Sequence, residues 1–336
     1  AKATQIPSSG ATEQEMAVVP TDDPNLPTYP EYEFSPPRPK SKNIQFCKKR
    51  GLLQSAHEDV SLYYEVFYPE GDDLSVQKPV IIFYHGIQEH FARYCHVIER
   101  FATLGYRVAA MDMRGHGLST GKRAYTTRFS YLVDDAQRFI EQKVLTAEGM
   151  NPSKIFLWGQ SYGGLLAPHV YLRMKPQLAT DTLGGLLLTS CAVGVDKTLI
   201  MKLQTPLGPC VSALLPKLAL TPAVSPSMMS SDPEAVKNYA NDPLNTRGNL
   251  AARLAWETEL AFRALKKQSA QVACPLYVTH GSKDVCTSRK ESKAFFEAVS
   301  SQDKVYVDTS LYHTMLHEPE RETVIESMEE WLKERM

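Results

Sequence analysis

Three residue types spaced along the chain could together perform acyl transfer. Ser161 lies in Gly159-Gln160-Ser161-Tyr162-Gly163, after the apolar run Ile155 to Trp158 and before the small-residue run Gly163 to Ala167. A serine at such a strand-to-helix turn is held in a tight backbone. Its hydroxyl stands clear of the sheet, at a helix N-terminus that favours developing negative charge. A serine nucleophile needs a base and an acid, and in this type of turn they follow in the order Ser, Asp/Glu, His. Asp284 follows the strand-like Pro275 to Thr279, and His313 follows the strand-like Val305 to Asp308. Loops leaving neighbouring strands lie side by side. His313 can then take the Ser161 proton, and Asp284 can fix its tautomer and stabilise the imidazolium. Rival bases are His317, one helical turn further on, and His280, at the end of a strand.

The reacting carbonyl also needs two backbone donors for its oxyanion. The amide of Tyr162, next to the nucleophile, supplies one. The loop His85-Gly86-Ile87 supplies the other through Ile87, with Gly86 letting the loop turn back toward Ser161. None of this chemistry calls for a metal or a cofactor. Cys286 lies two residues past Asp284, where an adduct on its thiol could disturb the acid loop.

Alternating strand- and helix-like segments must position these groups. Val60 to Tyr68, Pro79 to Tyr84, Arg107 to Met111, Lys154 to Trp158 and Leu183 to Thr189 read as strands. Helix-like Tyr94 to Thr103 and Ser130 to Leu145 fall between them. This is the pattern of βαβ units around a mostly parallel sheet. From about residue 191 to 271 the alternation stops, and helix-like pieces occur with no clear strand. Within them Leu199, Ile200, Leu203, Leu207, Val211, Leu214, Leu215 and Leu218 form an apolar stretch broken by prolines. An insertion here lies above the carboxyl ends of the strands, where ligands bind in such folds. It reads as a cap. Strand and helix signals resume at Pro275 and end with a helix near Arg321 to Leu332.

Residues 1 to about 42 form a separate zone containing Pro7, Pro20, Pro24, Pro27, Pro30, Pro36, Pro37 and Pro39. Too little apolar area is available there to offset ordering entropy, so an extended or disordered arm is expected. Its acidic-aromatic piece Tyr29 to Phe34 could dock on the domain formed by residues 43–336.

The chain has 336 residues, 43% hydrophobic and 22% charged, with a formal net charge of −1 and no basic block. A nucleic-acid partner is not expected. The six cysteines form no C-x-x-C pair, which suits reduced thiols in a cytoplasmic setting. Ala1 to Glu15 lacks the apolar core of a signal peptide, although a removed targeting segment stays open because the numbering begins without Met. No run is long and apolar enough for a transmembrane helix. Oligomeric state is not legible.

His85-Gly86-Ile87-Gln88-Glu89-His90 with Arg93-Tyr94, and Asp112-Met113-Arg114-Gly115-His116-Gly117-Leu118-Ser119, resemble signature elements of the monoacylglycerol lipase and lysophospholipase branch of the α/β-hydrolases. Gly281-Ser282-Lys283-Asp284 and Tyr312-His313 resemble its acid and histidine loops, and Ser231-Asp232 with Asp242-Pro243-Leu244 resemble its cap. The resemblance spans roughly Asn43 to Lys333. It implies an α/β-hydrolase fold with a helical cap, and a serine ester hydrolase releasing fatty acid and glycerol from monoacylglycerol. The same triad would serve a lysophospholipase or a broad carboxylesterase, and a fold of this type can also be a binding protein with little turnover. The resemblance places Glu89 and Arg93 at the polar end of the pocket, where glycerol leaves. They could equally be an ion pair that braces the oxyanion loop. Gln88 stands where relatives often have Gly. His317 stands where they often have a neutral polar residue, and it could contact the headgroup. The apolar cap stretch would wall an acyl tunnel and face a membrane surface as a peripheral contact, or simply pack inside the cap.

Overall fold

The computed structural model describes residues 26–29, 46–146, 149–179, 182–196, 205–222 and 224–336. Leu199, Ile200 and Leu203 of the apolar stretch lie outside the described residues, as does most of the Pro-rich arm.

Eight strands form one sheet: β1 (Phe46–Gln54), β2 (Ser61–Pro69), β3 (Lys78–Tyr84), β4 (Arg107–Met111), β5 (Pro152–Gln160), β6 (Leu183–Thr189), β9 (Leu276–Gly281) and β10 (Lys304–Thr309). Their order is β1-β2-β4-β3-β5-β6-β9-β10. The first two junctions are antiparallel and the rest parallel. The central strands are apolar along their whole length because both faces are covered. On β3, Val80, Ile82 and Tyr84 enter one core, while Ile81 and Phe83 enter the other. Helices α1 (Cys95–Thr103) and α8 (Arg321–Lys333) cover the second face. The first is covered by α2 (Phe129–Phe139), α3 (Gly163–Met174) and α7 (Arg289–Ala298). This is the α/β-hydrolase fold.

Between β6 and β9 the chain adds α4 (Gly208–Leu214), α5 (Pro233–Asn241) and α6 (Ala252–Gln268). This segment is not free of strand, as its composition suggests. Ala219–Thr221 (β7) and Leu250–Ala251 (β8) pair antiparallel. Leu207, Leu214, Leu215, Leu218 and Leu220 are exposed, Leu214 at 80%. Only the buried Ser212 of α4 faces inward fully.

The elbow between β5 and α3 is fixed by packing as well as by propensity. A Cβ on Gly163 would lie 2.0 Å from the Tyr84 carbonyl oxygen, and one on Gly159 would lie 2.3 Å from the Gly163 oxygen. Those contacts are backbone and cannot rotate away. Gly163→Ala is expected to destabilise the fold by roughly 2–3 kcal/mol. A urea unfolding midpoint equal to that of the wild type would contradict this.

Candidate active site

Ser161 sits in the left-handed region, with φ of 53°. Three backbone bonds hold it there. Its N–H donates to Thr189 O at 3.0 Å, and its carbonyl accepts from Gly164 N and Ala192 N, both at 2.9 Å. The parallel pairing of β9 and β10 carries Asp284 and His313 on adjacent exits. The structure brings the three side chains into one hydrogen-bonded chain. His313 Nε2 lies 3.0 Å from Ser161 Oγ, and His313 Nδ1 lies 2.8 Å from Asp284 Oδ2. Ser161 and His313 are buried, at 5% and 1% exposure.

Asp284 is held from several directions. Its Oδ1 accepts the amides of Cys286 at 2.8 Å and Thr287 at 3.0 Å, and its Oδ2 accepts the Thr287 hydroxyl at 2.7 Å. His280 Nε2 stands 3.2 Å from the same Oδ2. Burial disfavours the Asp284 charge, but His313 and His280 together hold its carboxyl well below the usual range. Burial likewise opposes the His280 charge, yet the carboxylate wins and pushes that imidazole up to about 9. The His313 backbone is also anchored, since its carbonyl accepts from Ser190 Oγ at 2.6 Å and Gln160 Nε2 at 3.4 Å. Thr287 and Ser190 have no sequence motif of their own. The pairing of distant strands brings Ser190 to the site, and the turn after Asp284 brings Thr287.

Gly86 passes close to the nucleophile: a Cβ there would lie 3.3 Å from Ser161 Cβ. Neither the Ile87 nor the Tyr162 amide has an acceptor among the described residues, so both are available to a ligand oxygen. Glu89 accepts the Gly86 amide at 2.8 Å and the Tyr94 hydroxyl at 3.0 Å. Arg93 Nε is 3.6 Å from Glu89. Its Nη1 donates to Asn238 at 3.1 Å, and its guanidinium lies over the Tyr239 ring. Both side chains are buried: Glu89 braces the 85–94 segment from within, and Arg93 joins it to α5. Gln88, at φ 64°, donates to Gly248 O at 2.9 Å. His317 is 2% exposed, with Nε2 2.9 Å from the Arg93 carbonyl. Burial holds its pKa well below the ordinary value. Of the rival histidines, His313 alone faces Ser161, while His280 backs Asp284. Cys286 Sγ, Asp284 and His313 place their donor atoms within 4.8 Å of one another.

A buried serine hydroxyl on an imidazole, with two unengaged amides beside it, can attack and cleave an acyl carbonyl. The family described as serine aminopeptidase, S33, matches residues 75–320. The chain belongs to that family. This S33 serine hydrolase is 30% identical over 279 residues to a monoacylglycerol lipase of Mycolicibacterium smegmatis, covering 81% of this chain and 93% of that one. It is 26% identical over 306 residues to the human monoglyceride lipase, covering 90% and 96%. The crystal structure of Paleococcus ferrophilus monoacylglycerol lipase superposes with a TM-score of 0.66 at 26% identity, covering 82% of this chain and 99% of that one. The chain is thus a serine hydrolase of the lipase and esterase type. No helix among its described residues is long and apolar enough to cross a membrane.

The His280–Asp284 pair makes stability depend on pH. The His280 pKa is raised from 6.5 unfolded to about 9 folded. Its contribution is therefore fully present below about pH 6.5 and is lost as pH rises through about 9. His280→Gln should lower the melting temperature most near pH 6, and the gap to the wild type should close above pH 9. A gap that is constant or widens over that range would show that His280 is neutral in the folded state.

Proposed function

We propose that this protein hydrolyses monoacylglycerol to fatty acid and glycerol. The observation that carries the reading is the Ser161–His313–Asp284 hydrogen-bonded chain beside the Ile87 and Tyr162 amides. Ser161 Oγ attacks the ester carbonyl while His313 Nε2 takes its proton, and Asp284 stabilises the imidazolium through Nδ1. The two amides receive the oxyanion. His313 then returns the proton to the glycerol oxygen, which leaves an acyl-serine, and water activated by His313 releases the fatty acid. Glu89 and Arg93 take the bracing role, because Glu89 bonds the Gly86 amide and Arg93 bonds Asn238 of α5. His317 acts behind Arg93 and not on the headgroup. The substrate class draws support from the lipases the chain resembles and from the leucines exposed on the insertion.

Ser161→Ala should abolish fluorophosphonate labelling. His313→Ala should lower ester turnover by about 10³-fold or more, and His317→Ala far less. A panel of monoacylglycerols, lysophospholipids and short esters checks the substrate. Faster turnover of lysophospholipid or of short esters would move the assignment to those classes, and no turnover of any would leave a binding protein.

The exposed leucines support a peripheral membrane contact by the insertion, since contiguous exposed apolar surface marks interaction sites. Leu207→Ser with Leu214→Ser should weaken binding to liposomes and slow long-chain monoacylglycerol hydrolysis, while a small soluble ester is cleaved as before. Unchanged liposome binding would remove the membrane role from this face.

A further inference from the structure

Tyr29 belongs to the Pro-rich arm and lies outside the segment matched by the S33 family, yet its ring is set against the hydrolase core. It stacks on the His90 imidazole, with centroids 4.9 Å and planes 19° apart. It meets Tyr63 at 5.6 Å and Phe91 at 5.3 Å, edge to face. Its hydroxyl donates to Asp112 Oδ2. The Asp112 side chain is fully buried and is the knot between two loops. It accepts the Phe91 amide at 3.2 Å, where the oxyanion loop ends, and the Leu118 amide at 2.7 Å, in the loop after β4. Among the described residues, Tyr29 is the only side chain that hydrogen-bonds to this carboxylate. Burial pushes the Asp112 carboxyl up to about 6, so its charged form depends on the donors it has. His90, under the Tyr29 ring, reaches Asp242 of the insertion at 2.8 Å.

The loop carrying Ile87 is thus tied at both ends, and Gln88 ties its middle to Gly248. Glu89 holds the Gly86 amide at one end, and the Asp112–Tyr29–His90 group holds the other. We propose that Tyr29 is a positioning residue for ester cleavage: seated from the arm, it locks the far end of the oxyanion loop and so fixes the Ile87 amide. This inference rests on the ester-hydrolase reading of Ser161. Without the phenol, Asp112 keeps only backbone donors and the socket admits water. The loop then gains freedom, and the Ile87 amide meets the oxyanion less well. An oxyanion donor acts on the transition state and not on the bound ester, so the loss falls on kcat.

The test uses the full chain and a short soluble ester, with kcat and KM measured for the wild type, Tyr29→Phe and Tyr29→Ala. Complete loss of an oxyanion donor costs about 10²–10³ in kcat, so a loosened donor should cost about 5–30-fold in Tyr29→Ala, with KM within about twofold. Tyr29→Phe keeps the stacking and should fall between. p-Cresol, which carries the missing ring and hydroxyl, should restore kcat to Tyr29→Ala saturably, and toluene should not. Unchanged kcat, a loss confined to KM, or rescue by toluene as good as by p-cresol overturns the proposal. Should Tyr29→Ala fail to fold, a Tyr29→Phe variant with full kcat overturns it equally. A wild-type chain that neither cleaves the ester nor labels at Ser161 overturns the hydrolase reading and this inference together. Equal labelling rates in wild type and variants overturn the inference alone.

Discussion

The left-handed backbone of Ser161 is the constraint on which the rest of the site depends. A non-glycine residue there is strained and persists only where its surroundings over-determine it. Here β6 supplies the acceptor for the Ser161 amide, the following loop supplies Ala192 as a donor, and the glycines of the elbow let α3 press against β3. The direction of the hydroxyl follows from that packing. So does the side of the sheet on which a base must arrive, which the exits of β9 and β10 meet with His313 and Asp284.

A second layer of order surrounds the oxyanion loop. Glu89, Gln88, His90 and Arg93 each spend a polar group on holding the 85–94 segment, and three of them reach into the insertion. In a site with so little solvent each of these bonds weighs more than it would at the surface, although His90 Nδ1 and Arg93 Nε have no hydrogen-bond partner among the described residues. The pairing therefore fixes the loop and the insertion relative to each other.

Much of this was legible in the sequence because it is local. Arg107 to Met111 and Leu183 to Thr189 are buried on both faces, and their nearly continuous apolar runs mark them as strands. Ser161, Asp284 and His313 stand out because each follows a strand at its carboxyl end. Strand β1 is not legible, since Lys48, Lys49 and Arg50 mask an edge strand that needs only one apolar face. The β7–β8 pair is not legible because its partners are short and far apart in the chain. The helix over Ser130 to Leu145 is α2 continued by a π-helical turn at Ile140–Val144, a change of hydrogen bonding that composition does not encode. Thr287 and His280 reach Asp284 by the register of strands and a turn, and Tyr29 finds its socket from an arm with no periodicity at all. The β7–β8 pair and the Tyr29 socket are contacts between distant segments, which composition does not specify.

The tie from Gln88 to Gly248, with the Thr246 amide returning to the Gln88 carbonyl at 2.9 Å, bears on how such an enzyme can be rebuilt. Composition draws the edges of the insertion near residues 191 and 271, and those look like natural points for exchanging it with that of a relative. Such a graft would remove the ties that Gln88, His90 and Arg93 make to the insertion. A chimaera that respects the chemistry keeps residues 238–248 with the hydrolase core and exchanges only the part of the insertion that precedes them.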